Sequence, residues 1–104
     1  MMEEIRSDVE KQANETKLLA ELFKVLGDPT RLSIVRLLLE RDMCVSEIAD
    51  AIDMGQSAVS HQLRVLRQAR LVSFQKDGKT VWYRLNDHHV TTLISQGLEH
   101  VGHV

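Results

Sequence analysis

Apolar residues recur at helical spacing along most of the chain. From Asn14 onward Leu18, Leu19, Leu22, Phe23, Val25 and Leu26 follow intervals of three and four and stop at Gly27, predicting a first helix. Residues 1–10, MMEEIRSDVE, are mostly polar and acidic and are expected to be flexible or weakly helical. Asp28-Pro29 then supplies an N-cap and a first-turn proline for a second helix, which carries Ile34, Val35, Leu37 and Leu38 and ends at Glu40-Arg41-Asp42. Ile48, Ala49 and Ile52 mark a short third helix. A tight turn at Met54-Gly55 follows, with Gly55 expected to accept positive φ. The next helix, from about Ser57 to Gln68, has two faces: Val59, Leu63 and Leu66 are apolar, while Ser57, Ser60, His61 and Arg64 form a polar stripe. Two short helices across a glycine-containing turn make a helix-turn-helix over residues 45–70.

The residue types change after Arg70. Leu71–Gln75 and Thr80–Leu85 are rich in Val, Phe, Trp and Tyr and read as strands, with Asp77-Gly78 as a hairpin signal between them. A hairpin directly after the second helix of such a motif makes it winged, the wing covering 71–85 with Lys76 and Lys79 at its tip. A last helix over 87–103 begins near Asn86-Asp87 and carries Val90, Leu93, Ile94, Leu98 and Val101. The expected fold class is mainly α with one β-hairpin (α+β), a winged helix-turn-helix forming a single domain over 1–104.

Composition adjusts this picture at four points. At 104 residues with 4% aromatics, the chain has little material for a core standing alone, so a homodimer packed through the N- and C-terminal helices is expected. No run of eighteen apolar residues exists to cross a membrane, and the acidic N-terminus is unlike a secretory signal. The single cysteine, Cys44, leaves no internal disulfide and fits the reducing cytoplasm. The net charge of −2 conceals an uneven distribution. Residues 1–53 hold twelve acids and seven bases, whereas residues 54–86 hold six bases against Asp77 alone. A basic block around a helix-turn-helix is what phosphate binding requires, because each neutralised phosphate releases counterions. The N-terminal positions of the second helix of the motif, Gln56, Ser57, Ser60 and His61, are then candidates for base edges. Arg64, Arg67, Lys76 and Lys79 are candidates for phosphates.

The tail DHHVTTLISQGLEHVGHV holds a second chemistry. Asp87, His89, His100 and His103 are one carboxylate and three imidazoles, a donor set suited to Zn(II). On one helix, however, His89 and His100 stand roughly 16 Å apart along the axis, at about 1.5 Å per residue, although they share a face. Two antiparallel copies of the helix resolve this: Asp87 and His89 of one meet His100 and His103 of the other, giving two equivalent sites per dimer. Four ligands fill a tetrahedral shell and leave no open position, and no nucleophile–base set is present, so an enzyme is not expected. His88 falls off this face and is expected to be merely exposed.

LGDPTRLSIVRLLL at 26–39, CVSEIADAI at 44–52, QSAVSHQLRVLRQARLV at 56–72 and the DGK wing resemble the ArsR–SmtB family of bacterial metal-sensing repressors. The resemblance covers about residues 15–104, and the tail is similar to that of the family's zinc/cobalt sensors of the CzrA/SmtB type. It implies a metal-free dimer that binds a palindromic operator and represses, Zn(II) (or Co(II)) releasing it, and regulated genes for metal efflux or sequestration. It also implies that His100 donates its second ring N–H to backbone near Arg70, and that Gln56, Ser57, Ser60 and His61 face DNA. One departure is informative: thiolate sensors of the family carry Cys-Val-Cys where this chain has Cys44-Val45-Ser46, and residues 1–43 contain no Cys or His. Cys44 is therefore expected to be a buried structural thiol, and arsenic, lead and cadmium are disfavoured as inducers. The alternatives are a winged-helix regulator without metal sensing, or a nickel sensor. Nickel usually wants further ligands, and the sequence ends one residue after His103 with no His-rich extension.

Overall fold

The computed structural model describes residues 1–102, and His103 lies outside the described residues. The chain forms α1 (Met2–Leu26), α2 (Pro29–Glu40), α3 (Val45–Ile52), α4 (Gln56–Gln68), β1 (Val72–Asp77), β2 (Thr80–Leu85) and α5 (His88–Gly102). Asp28 caps α2 through Oδ2, which accepts from the Arg31 N–H at 3.0 Å, with Pro29 in the first turn. The Arg31 Nε donates to the Val25 carbonyl at 2.9 Å, tying the end of α1 to the start of α2.

The core is helical. Ile34 and Val35 of α2, Ile48 of α3, and Val59, Leu63 and Leu66 of α4 are wholly buried, with Leu71 and Val72 closing it at the root of the wing. Both apolar faces of the helix-turn-helix are consumed in this contact, which leaves the polar stripe of α4 outward. β1 and β2 pair antiparallel, with Val72 opposite Leu85 and Phe74 opposite Tyr83. A single bridge adds Met43 to the outer side of β2, through hydrogen bonds of 3.1 and 2.8 Å between its backbone and that of Tyr83. The Arg84 guanidinium donates to Asp42 Oδ2 at 2.6 Å beside that bridge. The wing is thereby fastened at its base, and its tip is left free.

Four local expectations need correction. Residues 2–10 are helical and continuous with the rest of α1; Glu3 and Glu4 favour its N-terminal dipole, and each further residue extends an existing nucleus. In the turn between α3 and α4 it is Asp53, at φ 54°, that adopts the left-handed conformation, as short Asp side chains tolerate, while Gly55 sits at φ −69°. The hairpin loop is Gly78-Lys79 rather than Asp77-Gly78: Asp77 pairs with Thr80, and Gly78 at φ 64° takes the first loop position, where two-residue turns often demand glycine. Cys44 is only half-buried, since it occupies the N-cap of α3, where its N–H donates to Glu47 Oε1 at 3.2 Å and its Sγ lies 3.2 Å from Ser46 Oγ.

Candidate nucleic-acid interface and metal-ligand positions

Helix α4 presents Gln56, Ser57, Ser60, His61 and Arg64 to solvent along one face, opposite the buried Val59, Leu63 and Leu66. The helix terminates sharply. The Leu71 N–H donates to the Leu66 carbonyl at 2.9 Å and the Arg70 N–H to Arg67 at 3.0 Å, with Arg70 at φ 60°. This is a Schellman closure in which an arginine stands where glycine is usual. It turns the chain into β1, so only Ala69, Arg70 and Leu71 separate the helix from the wing. Lys76 and Lys79 are exposed near and in the loop.

The cations of this surface differ in their freedom. Arg84, counted with the basic block in the sequence, is committed to Asp42, and Arg41 pairs with Glu47 at 2.9 Å. Arg64, Lys76 and Lys79 form no ion pair among the described residues and are open to phosphate oxygens. Arg67 has a different neighbour, which periodicity did not reveal: its guanidinium carbon lies 4.5 Å from the centre of the Phe74 ring on β1. An exposed aromatic two strand residues before a lysine was the available signal.

The metal-ligand candidates divide between the two ends of α5. Asp87 immediately precedes the helix, and its Oδ1 accepts from the N–H groups of His89 at 2.9 Å and Val90 at 3.2 Å. The Val90 bond is the main reason its carboxyl is held below the ordinary carboxylate range. The same Oδ1 lies 3.4 Å from His89 Nδ1, so carboxylate and imidazole already stand together, both substantially exposed. His88 is exposed as expected, although its ring lies 4.3 Å from that of His89, centre to centre. His100 is exposed near the far end, and its side chain makes no hydrogen bond within the described residues. No three potential ligands come together among the described residues. Asp87 and His89 are thus brought together and His100 is held apart, the separation that helix geometry demands.

An apolar strip accompanies these positions. Val90 and Ile94 are buried, while Phe23 of α1 and Val101 of α5 remain 50% and 61% exposed on the walls of a groove of about 360 Å³ between the two helices. Along α1, Met2, Ile5 and Val9 are exposed apolar residues at helical spacing, and Leu18 and Leu19 are exposed further on. No helix among the described residues is long and apolar enough to cross a membrane.

Comparison with known proteins gives consistent matches. The family model described as bacterial regulatory protein, arsR family, matches residues 28–73. A transcriptional repressor SmtB homolog from Synechocystis is 40% identical over 88 residues, which is 85% of this chain and 67% of that protein. A cadmium resistance transcriptional regulatory protein CadC homolog from Staphylococcus aureus is 38% identical over 82 residues, covering 78% of this chain and 68% of the relative. Among solved structures, a homodimeric winged helix-turn-helix DNA-binding domain from Mycobacterium bovis, described as a possible ArsR-family transcriptional regulator, superposes with a TM-score of 0.82 at 26% identity. That match covers 88% of this chain and 84% of the other.

Proposed function

This chain belongs to the arsR family of bacterial regulatory proteins, and from that premise we propose a repressor that releases operator DNA when Zn(II), or Co(II), binds between two copies. It is a winged helix-turn-helix, DNA-binding transcription regulator and not an enzyme. In the proposed reading it acts in the cytoplasm as a homodimer, as its solved relative from Mycobacterium bovis does in being homodimeric. The apolar faces of α1 and α5 supply the subunit contact; large apolar groups left open on two adjacent helices are costly unless a partner covers them. Gln56, Ser57, Ser60 and His61 face base edges in the major groove, and Arg64, Lys76 and Lys79 face phosphates.

One observation carries the metal reading. Asp87 and His89 stand together at one end of α5, and His100 lies eleven residues away on the same exposed face, so a second copy is needed to join them. The donor chemistry fits: oxygen and nitrogen ligands, solvent-accessible, with one carboxylate oxygen free of the capping bonds. Asp87 and His89 of one copy, with His100 and His103 of the other, would hold the ion, which would supply a four-coordinate cross-link between the C-terminal helices. The CadC homolog of Staphylococcus aureus is named for cadmium resistance. Here the donors are oxygen and nitrogen, and Cys44 is a lone thiol in a capping position, so a harder ion is the better match.

The test is a titration of Zn(II) into the complex of the metal-free protein with a labelled duplex that it has itself selected from a random-sequence pool. Affinity is expected to fall, and chelator to restore it. By linkage the duplex must weaken Zn(II) binding by the same factor. An affinity indifferent to the metal removes the sensor role and leaves a DNA-binding regulator. Metal uptake of about one ion per subunit in equilibrium dialysis separates the proposal from a regulator that binds none.

A further inference from the structure

We propose that Phe74 is a positioning residue for DNA binding: its ring holds the Arg67 guanidinium where the recognition helix meets the wing, ready for a backbone phosphate. The proposal rests on the DNA-binding reading of α4 and refines it. Arg67 lies seven residues beyond Ser60 and three beyond Arg64, on the same exposed face of the helix. It forms no ion pair among the described residues; what it has is the Phe74 ring, 4.5 Å from the guanidinium carbon.

The ring is itself held from behind. Phe74 stands opposite Tyr83 in the hairpin, the two rings 5.9 Å apart and tilted by 43°. Tyr83 is bonded through its backbone to Met43 on the other side of β2. A line of contacts therefore runs from the body of the domain through Tyr83 and Phe74 to Arg67. Phe74 nevertheless remains 45% exposed, unusual for a large ring that served only to fill the core.

Stacking suits this task. A guanidinium lying over an aromatic face is attracted to the ring quadrupole and keeps its N–H edges in its own plane, free to form paired bonds to phosphate oxygens. An unstacked arginine must be ordered at the moment of binding; this one is ordered beforehand. Lys76 follows Phe74 by two residues and so lies on the same face of the hairpin. Arg64, Arg67 and Lys76 then form one row of cations from helix to wing, with Phe74 joining its two parts.

The experiment measures anisotropy of a labelled duplex, selected by the wild-type protein from a random pool, across a series of salt concentrations. Arg67→Gln is expected to weaken binding about 3- to 10-fold and to flatten the log–log salt slope by about 0.9, the signature of one lost phosphate contact. Phe74→Leu is expected to reproduce most of that loss and to flatten the slope in the same sense. The double variant should then bind no worse than Arg67→Gln alone, and Phe74→Tyr should bind like wild type. The proposal is overturned if Phe74→Leu retains wild-type affinity and slope, or if the two losses multiply in the double variant. A wing weakened in general would give multiplying losses, so the cycle excludes it even where Phe74→Leu lowers the melting temperature. A wild-type protein that captured no duplex would overturn the DNA-binding reading itself, a failure distinct from either of these.

Discussion

Mixing two defective variants separates an ion held between two copies from an ion held within one. His89 and His100 lie eleven residues apart on α5, roughly 16 Å along the axis, whereas ligands about 2.0–2.2 Å from one Zn(II) are no more than about 4.4 Å from each other. Asp87→Ala removes a ligand from one end of the helix and His100→Gln from the other. In either homodimer both symmetry-related sites lack one ligand, and affinity is expected to fall by at least about 10–100-fold, the loss that even an outer partner of a ligand produces. In the mixed dimer one site carries both lesions and the other carries neither. Random reassortment makes about half of all dimers mixed, each with one intact site, so about one quarter of the wild-type capacity returns. Differently tagged subunits allow the mixed species to be isolated, and there about half the capacity is expected. The assay is competition for Zn(II) against a chromophoric chelator, run on each homodimer and on the purified mixture. No recovery in verified mixed dimers would refute the reasoning, because ligands drawn from a single chain cannot complement each other in this way.

Three further outcomes are expected. Lys79→Ala should flatten the salt slope of DNA binding by about 0.9, so that its penalty shrinks by about 3.5-fold from 50 to 200 mM salt, alike for every sequence; Gln56→Ala should instead alter which duplexes a random pool yields. Metal uptake should fail below roughly pH 6, because imidazoles ligate only when neutral. Asp87 keeps its charge there, its carboxyl being held low chiefly by the Val90 N–H, so Asp87→Asn should lower Zn(II) affinity at neutral pH in a chelator assay. Arg70→Gly should raise stability by about 0.5–1 kcal/mol in urea unfolding at fixed protein concentration. The left-handed conformation at φ 60° costs a non-glycine residue about 1–2 kcal/mol, and glycine's freedom in the unfolded chain returns about 0.5–1 of it. A loss of stability would mean that the Arg70 side chain makes a contact worth more than that strain.

What was legible in the sequence was whatever local rules determine. Asp28-Pro29 starts α2 because cap and proline act within one turn, and the two faces of α4 follow from spacing alone. The wing's existence followed from its residue types, while its register did not: the loop shifted by one position because Gly78 suits the first loop site and Asp77 could pair with Thr80. Likewise Asp53 rather than Gly55 took the left-handed position, since glycine permits that conformation without requiring it. Met2, Ile5 and Val9 form a stripe too diluted by charges to announce a helix, and they are helical because α1 is already nucleated below them. The pairs that shape the interface were beyond reach for a different reason. Arg84 with Asp42 and Arg67 with Phe74 join separate elements, and no periodicity encodes such a meeting. Of the metal-ligand candidates, only the pairing of Asp87 with His89 is visible within the described residues of one chain, and Asp87's service as a cap for α5 was the part that ligand spacing concealed.

That double service gives the two candidate sites a physical connection. Asp87 holds the first turn of α5 through the N–H groups of His89 and Val90, and the preceding residue, Asn86, donates its N–H to the Leu71 carbonyl at 3.0 Å. Leu71 is the residue whose own N–H closes α4 on Leu66 at 2.9 Å. From the carboxylate to the end of the recognition helix the route is therefore one peptide neighbour and two backbone hydrogen bonds, without a flexible side chain in between. The opposite end of α5 has no such tie through its ligand candidate: the His100 side chain is exposed and makes no hydrogen bond among the described residues. A ligand that distinguishes two arrangements of α5 acts on α4 only through contacts that differ between those arrangements. In the proposed reading, these backbone contacts give strain applied at the Asp87 end a route to the helix assigned to DNA, and the second subunit would fix the His100 end.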